Sequence, residues 1–533
     1  MHRRRLLSVG LSAATVPFLK GSRASAAPPA SGPTDAEALA EFSAYARAIY
    51  PVQRPARAAP PPPQTDFQVR RDRPKQLILG LGFEIQSDGI ASGNAGLDDS
   101  ETGAPHDLVP EERERLYREM LRGFRFCRLA GGLYLRGTDE AKRQLRPRWP
   151  TQFTELHEMF ARAGIDGASF EYWSPLPYWK ANAQLAGTVS PMKGRDPLNV
   201  LRCFGPAFDQ DPIYRGDRKR FLADFAAACR QDLVTLRDAG VPVRFWNLQN
   251  EPIVSSLYSS CTYSYADYVE AFLAVAPQIK GLDPRISVIA DTSLDYEFRH
   301  IKPVLDNPAP AGLVDALAIH RIGVDSMEVV RRRGPAGKPI INNEFEYLGG
   351  PASPARCLNT VQSIMNWFQR ADSPTWFWLH ALKPYLNAEA SGYSLGFWRP
   401  QSQSAPSRDA AFPGMRPGHW VWNTYNWNAV GGFVRRLPWN SRSLSVDEAT
   451  ADDDLRIMAF ARPDGRLVVV VSNRCGAPHT FRIATDSGRR FRGFRYTPDD
   501  AGRDCLGVAI GTKSAPELSV TVPDAAWEFW EEI

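Results

Sequence analysis

The sequence is poor in cysteine and has no spacing that suggests a metal centre. Its seven cysteines are scattered through 533 residues, and no two of them form a CxxC pair. Chains that use disulfides or cysteine-bound metals in place of a large core carry many more cysteines at close intervals. We therefore expect buried thiols with at most one or two disulfides, no metal and no cofactor.

An excess of charge is also lacking once the first residues are set aside. Residues 1–26 contain five of the 64 basic residues and no acidic residue, so the remaining chain has as many basic as acidic residues, 59 of each. Nucleic-acid-binding proteins depend on a positive surface to hold phosphates. The balanced charge gives no basis for nucleic acid as a partner.

The chain has one apolar run near its start and no other that approaches 18 residues, so we predict no transmembrane helix. Arg3-Arg4-Arg5 precede the apolar stretch from Leu6 to Leu19, and Ala24-Ser25-Ala26 follow it. This order resembles a twin-arginine signal peptide over 1–26. It predicts a protein exported to the periplasm or beyond the cell, with an uncleaved basic arm as the alternative.

The rest of the chain divides into three parts that differ in composition and in hydrophobic pattern. Residues 27–75 are rich in proline and alanine and are interpreted as an N-terminal segment and linker. Over 76–430, short apolar runs alternate with amphipathic helical stretches, which predicts an α/β fold, a (β/α)8 TIM barrel. Over 431–533, short β-type runs separated by turns predict a C-terminal antiparallel β-sandwich, to which a strand near Phe67–Arg71 can be added.

Two glutamates stand where barrel enzymes place their catalytic groups, at the carboxyl ends of strands. Glu251 follows the predicted fourth strand in Gln249-Asn250-Glu251-Pro252, and Glu344 ends the predicted seventh strand. These strands lie across the barrel mouth from each other, so both carboxylates can face one bond. Retaining glycoside hydrolysis needs such a pair, one as nucleophile and one as acid/base. Arg128, at the end of the second strand, is the cation expected to keep Glu344 ionised.

The motifs resemble those of a known enzyme group. Gln249-Asn250-Glu251-Pro252 is similar to the acid/base motif of clan A retaining glycoside hydrolases, and the strand ending in Glu344 is similar to their nucleophile strand. The loop Trp173-Ser174-Pro175-Leu176-Pro177-Tyr178-Trp179-Lys180 resembles the loop after strand three in glycoside hydrolase family 30. The barrel followed by a sandwich also fits that family.

The resemblance implies a role for each residue. Glu251 is the acid/base, Glu344 is the nucleophile and Asn250 binds the 2-hydroxyl of the sugar. Arg128 and His320 line the subsite where the bond breaks, and Trp378 forms its aromatic floor. Two further aromatic residues, Trp173 and Trp179, are candidates for stacking on sugars, and Tyr347 is a candidate hydrogen-bond partner of the nucleophile.

Other assignments stay open from the residues alone. Glu346 shares a strand face with Glu344 and is the alternative nucleophile. Glu84 and Glu171 follow strands one and three, where they can bind sugar hydroxyls or be solvated loop carboxylates.

The sequence thus predicts an exported retaining β-glycoside hydrolase, a secreted glycosidase for polysaccharide degradation with a β-linked carbohydrate as its partner. The alternatives are a clan A enzyme of different linkage or a transglycosylase, and a non-catalytic glycan-binding protein.

Overall fold

The computed structural model describes residues 62–85, 103–138, 143–187, 196–255, 258–293, 299–320, 338–345, 352–384, 394–401, 414–449, 452 and 454–533. The predicted signal peptide and most of the predicted linker lie outside these residues.

Eight parallel strands close into a barrel, which confirms the predicted (β/α)8 fold. In chain order, the strands of this part are β1 (Gln64–Ile78), β2 (Gly80–Glu84), β3 (Phe126–Gly131), β4 (Gly137–Thr138), β5 (Leu145–Arg146), β6 (Gly167–Tyr172), β7 (Val243–Asn247), β8 (Ser287–Ser293), β9 (Ala316–Ile319), β10 (Ile340–Phe345), β11 (Thr375–Pro384), β12 (Ser394–Trp398) and β13 (Trp420–Trp422). The ring runs β2, β3, β6, β7, β8, β9, β10, β11, and β11 pairs with both β10 and β2. Strands β12 and β13 extend the sheet beyond β11.

Helices connect the strands. They are α1 (Pro110–Arg115), α2 (Gln152–Ala163), α3 (Arg218–Asp238), α4 (Tyr265–Leu282), α5 (Lys302–Leu305), α6 (Pro308–Ala311), α7 (Pro354–Gln369) and α8 (Thr424–Arg436), with a π-helical turn at Leu116–Leu121. Helix α4 begins with a capping box in which Ser264 and Asp267 satisfy each other's backbone N–H groups. In the described part of the chain, no helix combines the length and the hydropathy that crossing a bilayer requires.

The lower barrel is filled by an apolar layer that supports the residues above it. Its buried members are Phe126, Phe245, Ile289, Ala316, Ala318, Ile341 and Phe377. Gly82 is needed beside them, because a Cβ atom at this position would lie 2.1 Å from the Phe377 ring. Side chains alternate along a strand, so residues two positions after these apolar ones face the interior one level closer to the mouth. Arg128 and Glu84 are placed in this way.

The second domain is a nine-stranded sandwich. Its C-terminal strands are β14 (Ser441–Glu448), β15 (Leu455–Ala461), β16 (Leu467–Asn473), β17 (His479–Ala484), β18 (Arg490–Tyr496), β19 (Val508–Ser514), β20 (Glu517–Val522) and β21 (Ala526–Glu532). The strand order is β19-β18-β21-β16-β15-β14-β1-β17-β20. Strand β1 pairs antiparallel with β14 and parallel with β17, so the expected extra strand near Phe67–Arg71 is confirmed.

Two of the three predicted domain boundaries fall elsewhere in the structure. Residues 64–75, assigned above to the linker, belong to β1 of the sandwich because Phe67 and Val69 are buried in its core. The boundary at 430/431 would cut α8 in two. The helix continues to Arg436, and the sandwich resumes at β14.

All seven cysteines lie among the described residues, and no disulfide joins any two of them, which agrees with the expectation of thiols with at most one or two disulfides. Six of them are buried and Cys475 is half-buried. Burial raises the pKa of the Cys261 thiol to about 11, which keeps it protonated at neutral pH.

Candidate active site

The loop after β7 holds Glu251 in a strained backbone conformation. Its φ of +43° lies in the left-handed region, which costs a non-glycine residue about 1–3 kcal/mol. Two hydrogen bonds hold the loop: Asn250 N–H donates to Tyr172 O over 2.7 Å, and Glu251 N–H donates to Thr292 O over 2.9 Å. These acceptors lie in the last residues of the neighbouring strands β6 and β8, so the barrel itself fixes the position of Glu251.

Glu344 reaches the same mouth because β10 is irregular near its end. The pairing between β10 and β11 shifts its register between Asn342 and Phe345, which interrupts the strict alternation of side chains. Asn343 Nδ2 donates to Glu171 Oε2 over 3.4 Å inside the barrel, and the adjacent Glu344 faces the same interior. Two consecutive polar side chains of β10 therefore serve one site.

Glu251 and Glu344 both contact His320, which directly follows β9. His320 Nδ1 lies 3.1 Å from Glu251 Oε1 and 3.5 Å from Glu344 Oε2. One atom from each of these three side chains lies within 4.8 Å of the other two, and all three residues are buried. Among the described residues, this is also the group whose geometry could hold a metal ion. The carboxylates of Glu251 and Glu344 are therefore close enough to act on the same bond of a bound ligand.

One guanidinium organises the site from below. Arg128 is fully buried and donates from Nη1 to Glu84 Oε2 over 2.6 Å and from Nη2 to Asn250 Oδ1 over 2.8 Å. The same two nitrogens form ion pairs with Glu344 and Glu171. Arg128 therefore bridges the nucleophile candidate Glu344 and the residue that precedes the acid/base candidate.

Burial and charge shift two pKa values in the site. Burial alone would lower the pKa of His320, but the charge of Glu344 and the hydrogen bond to Glu251 outweigh it and raise that pKa above its usual value. Burial raises the pKa of Glu84 to about 8, despite the opposing charge of Arg128. Perturbed titratable groups of this kind concentrate in functional sites.

Several predicted site residues come together here. Asn250, Arg128 and His320 all touch one or both of the candidate catalytic glutamates, or a residue next to them, through the contacts above. Trp173 lies beside them, with its ring 5.6 Å from the Arg128 guanidinium carbon. Its Nε1 is buried and finds no hydrogen-bond partner among the described residues. Tyr347 and the alternative nucleophile Glu346 lie outside the described residues.

Trp179 does not join this group, and its predicted stacking role is corrected. Its ring packs against Phe221 and Phe225 of α3, with each pair of ring centroids 5.4 Å apart. Its Nε1 donates to Arg143 O over 2.7 Å. The loop after strand three folds back onto the helix layer because this packing buries the indole, so Trp179 stabilises the loop instead of facing a sugar.

Trp378 is also corrected, because it points away from the barrel interior. Phe377 faces the interior against Gly82, so the next residue of β11 must face outward. The Trp378 ring accordingly packs 5.6 Å from Phe345 and 6.1 Å from Trp376, under the helices. The predicted aromatic floor is not formed by this residue.

Sequence reasoning missed a part of the site. Glu84 and Glu171, left open above, are both 2% exposed and belong to the Arg128 cluster rather than to solvent. His380 lies inside β11, two residues after Trp378, and its Nδ1 is 3.5 Å from Glu84 Oε1; no motif in the sequence marked it as a site residue. Asn247 and Asn343 donate to Glu171. Side chains alternate between the two faces of a strand, so the positions that share a face with known interior residues could have identified Glu84 and Glu171 as inward-facing.

Comparisons with known proteins agree with this architecture. Residues 442–502 match the family model described as the glycosyl hydrolase family 30 beta sandwich domain. No curated protein sequence matches the chain.

Solved structures extend the likeness to the whole fold. The catalytic domain of GH30 xylanase C from Talaromyces cellulolyticus has a TM-score of 0.62 at 12% identity, covering 88% of this chain and 100% of that chain. A glycoside hydrolase family 30 subfamily 8 xylanase from Clostridium acetobutylicum has a TM-score of 0.60 at 15% identity, covering 88% and 99%. An endo-β-1,6-glucanase has a TM-score of 0.60 at 12% identity, covering 87% and 93%. Together with the sandwich match, this shared fold supports a glycoside hydrolase that resembles family 30.

Proposed function

We propose that the protein is an exported retaining β-glycoside hydrolase that cleaves a β-linked poly- or oligosaccharide. The observation that carries the proposal is the distance between the two candidate catalytic carboxylates, of which one oxygen each lies within 4.8 Å of the other. Retaining enzymes place these groups about 5–5.5 Å apart, whereas inverting enzymes separate them by about 6.5–9.5 Å to admit a water molecule. The spacing supports double displacement.

The contacts in the site support an assignment of each step of double displacement to a residue. Glu344, paired with the Arg128 guanidinium, attacks the anomeric carbon, while Glu251 gives its proton to the leaving oxygen. Glu251 then takes a proton from water, which attacks the glycosyl ester and releases Glu344. Asn250 Oδ1 accepts from Arg128, which leaves the Asn250 amide N–H groups to donate to a sugar hydroxyl.

The similar solved structures suggest a substrate class for this proposal. These include xylanases and an endo-β-1,6-glucanase, whose names indicate xylan and a β-1,6-linked glucan as substrates. We therefore place xylan and β-glucans first among the substrates to be tested.

A substrate screen with product stereochemistry tests the function. The full chain is incubated with xylan, β-1,6-glucan, β-1,3-glucan, β-galactan and aryl β-glycosides, with Glu344→Gln as the blank, and the first-formed anomer is identified by proton NMR. We expect sugar release by the parent alone, with the β-anomer formed first. The α-anomer as first product would overturn the retaining mechanism, and equal release by Glu344→Gln would overturn the assignment of the nucleophile.

Export rests on the N-terminal segment. Arg3-Arg4-Arg5, the following apolar stretch and Ala24-Ser25-Ala26 support cleavage after about residue 26. Mass spectrometry of the protein from the medium or periplasm should show a chain that has lost this segment. A chain retained in the cell with its N-terminal residues intact would contradict export.

A further inference from the structure

Glu84 is a buried carboxylate that the double-displacement steps do not use. It ends β2, and it faces the barrel interior because Gly82, two residues earlier, faces the Phe377 ring. Only 2% of its surface is exposed. A buried acidic side chain in this position calls for a partner or a proton.

Glu84 shares its main partner with the nucleophile candidate. Arg128 Nη1 donates to Glu84 Oε2 over 2.6 Å, and the same nitrogen contacts Glu344 Oε2. The other terminal nitrogen, Nη2, holds Asn250 and Glu171. Arg128 therefore faces three carboxylates, and its single charge cannot balance all three if each is ionised; a buried negative charge left without a partner costs several kcal/mol.

The hydrogen-bond partners show which carboxylate is best suited to carry a proton. Glu171 Oε2 accepts from Asn247 over 3.0 Å and from Asn343 over 3.4 Å, in addition to its ion pair with Arg128. Among the described residues, the hydrogen-bond donor to Glu84 is Arg128, and Glu84 Oε1 also lies 3.5 Å from His380 Nδ1. Fewer donors stabilise a charge on Glu84 than on Glu171.

The charged groups around Glu84 come from four strands of the barrel. They are Arg128 on β3, Glu171 on β6, Glu344 on β10, and His380 and Lys383 on β11. Burial, with the repulsion of Glu344 and Glu171, outweighs the attraction of Arg128 and Lys383 and raises the pKa of Glu84 to about 8. Burial, Lys383 and Arg128 lower the pKa of His380 well below its usual value, so His380 is neutral and brings no positive charge to Glu84.

We propose that Glu84 is a positioning residue for the nucleophile: as a neutral carboxylic acid, it accepts a hydrogen bond from Arg128 and fixes the guanidinium between Glu344 and Asn250 without competing for its charge. The role rests on the proposed function of Glu344 as nucleophile. A charged Glu84 would instead divide the positive charge of Arg128 between two carboxylates, and it would disfavour ionisation of Glu344 by repulsion.

Paired substitutions separate this role from simple packing. Glu84→Ala removes the acceptor, so Arg128 can shift, and kcat on a dinitrophenyl β-glycoside should fall about 10- to 100-fold because misplacement of a catalytic group by about 1 Å costs that much. Glu84→Gln keeps a neutral acceptor and should recover at least about tenfold of this loss. If glutamine were no better than alanine, a charged Glu84 would be required and the proposal would be overturned.

The acidic limb of kcat/KM gives a second readout. If Glu84 is already neutral, Glu84→Gln and the parent should show the same acidic limb, since no charge is lost near Glu344. Glu171→Gln is the matched control: it removes a carboxylate that accepts from Arg128 and two asparagines, and its acidic limb should move to lower pH. A shift of the Glu84→Gln limb to lower pH would overturn the proposal.

Infrared difference spectroscopy tests the proton without any substrate. The spectrum of the parent minus that of Glu84→Gln should contain the C=O stretch of a protonated carboxylic acid at pH 7, and this band should disappear with a midpoint of about 8. Its absence at pH 7 would overturn the proposal even if the enzyme is active. Presence of the band in a protein that cleaves no glycoside would instead overturn the proposed function, and the positioning role with it.

Discussion

Glu344→Ala should abolish turnover while the protein stays folded. Removal of the attacking carboxylate leaves only binding and general acid catalysis, so we expect kcat to fall by about 10⁴-fold or more, equivalent to about 5.5 kcal/mol or more of transition-state stabilisation. The effect should be of similar size for every leaving group, because no glycosyl ester can form without the carboxylate. Steady-state kinetics on polysaccharide and on aryl β-glycosides provide the measurement.

Added azide gives this prediction a stereochemical readout. In Glu344→Ala, the space left by the carboxylate admits a small anion, which attacks the anomeric carbon directly and yields the α-glycosyl azide. The matched control is Glu528→Gln, in which a buried glutamate of the sandwich, hydrogen-bonded to Trp530 and Arg495, loses its charge far from the barrel mouth. That variant should keep the parent kcat. Rescue to a β-azide would show that Glu344 is not the nucleophile.

The positions of Glu251 and Glu344 could be predicted because their signals are local. Each residue follows a short apolar run at the carboxyl end of a strand, and the barrel topology then brings the two ends together across the mouth. The tight turn around Glu251 and its positive φ were not predicted from the motif and are seen only in the structure. Chain order and strand ends were therefore sufficient to predict this pair.

The aromatic residues could not be placed in the same way, because their positions depend on strand parity. The direction of Trp378 follows from Phe377 facing Gly82, a contact between β11 and β2 that are almost 300 residues apart in the chain. Trp179 is buried by contacts with α3, which begins about 40 residues later. A sequence shows that a tryptophan is present on a loop or strand, and long-range packing decides which face it occupies.

The burial of Glu84 and Glu171 could not be predicted from the sequence for a similar reason. Glu84 and Glu171 each follow a strand, as do many solvated glutamates, and neither has a local partner. Their partner Arg128 lies on the strand between theirs in the ring, so the cluster exists only after β2, β3 and β6 are paired side by side. An inward-facing arginine at a strand end predicts such partners once the strand order is known.

Glu251→Gln should separate substrates by their leaving groups. The variant cannot protonate the departing oxygen, so we expect kcat/KM on polysaccharide to fall by about 10³-fold, within the range that general acid catalysis contributes. A dinitrophenolate leaves without a proton, so formation of the glycosyl-enzyme from a dinitrophenyl β-glycoside should change much less, by less than about tenfold. Burst kinetics would then show the intermediate accumulating, since the same residue is missing as the base for water.

A second prediction, based on azide rescue, distinguishes the role of Glu251 from that of Glu344. An anionic nucleophile such as azide needs no general base, so azide should accelerate turnover of Glu251→Ala on the activated substrate and give the β-glycosyl azide, the opposite anomer to that expected from Glu344→Ala. His320 contacts both carboxylates, so the two variants leave the same neighbour in place and differ only in which oxygen pair is lost. A uniform loss of activity across all leaving groups, with no effect of azide, would show that Glu251 supports the site structurally and that the proton comes from another residue.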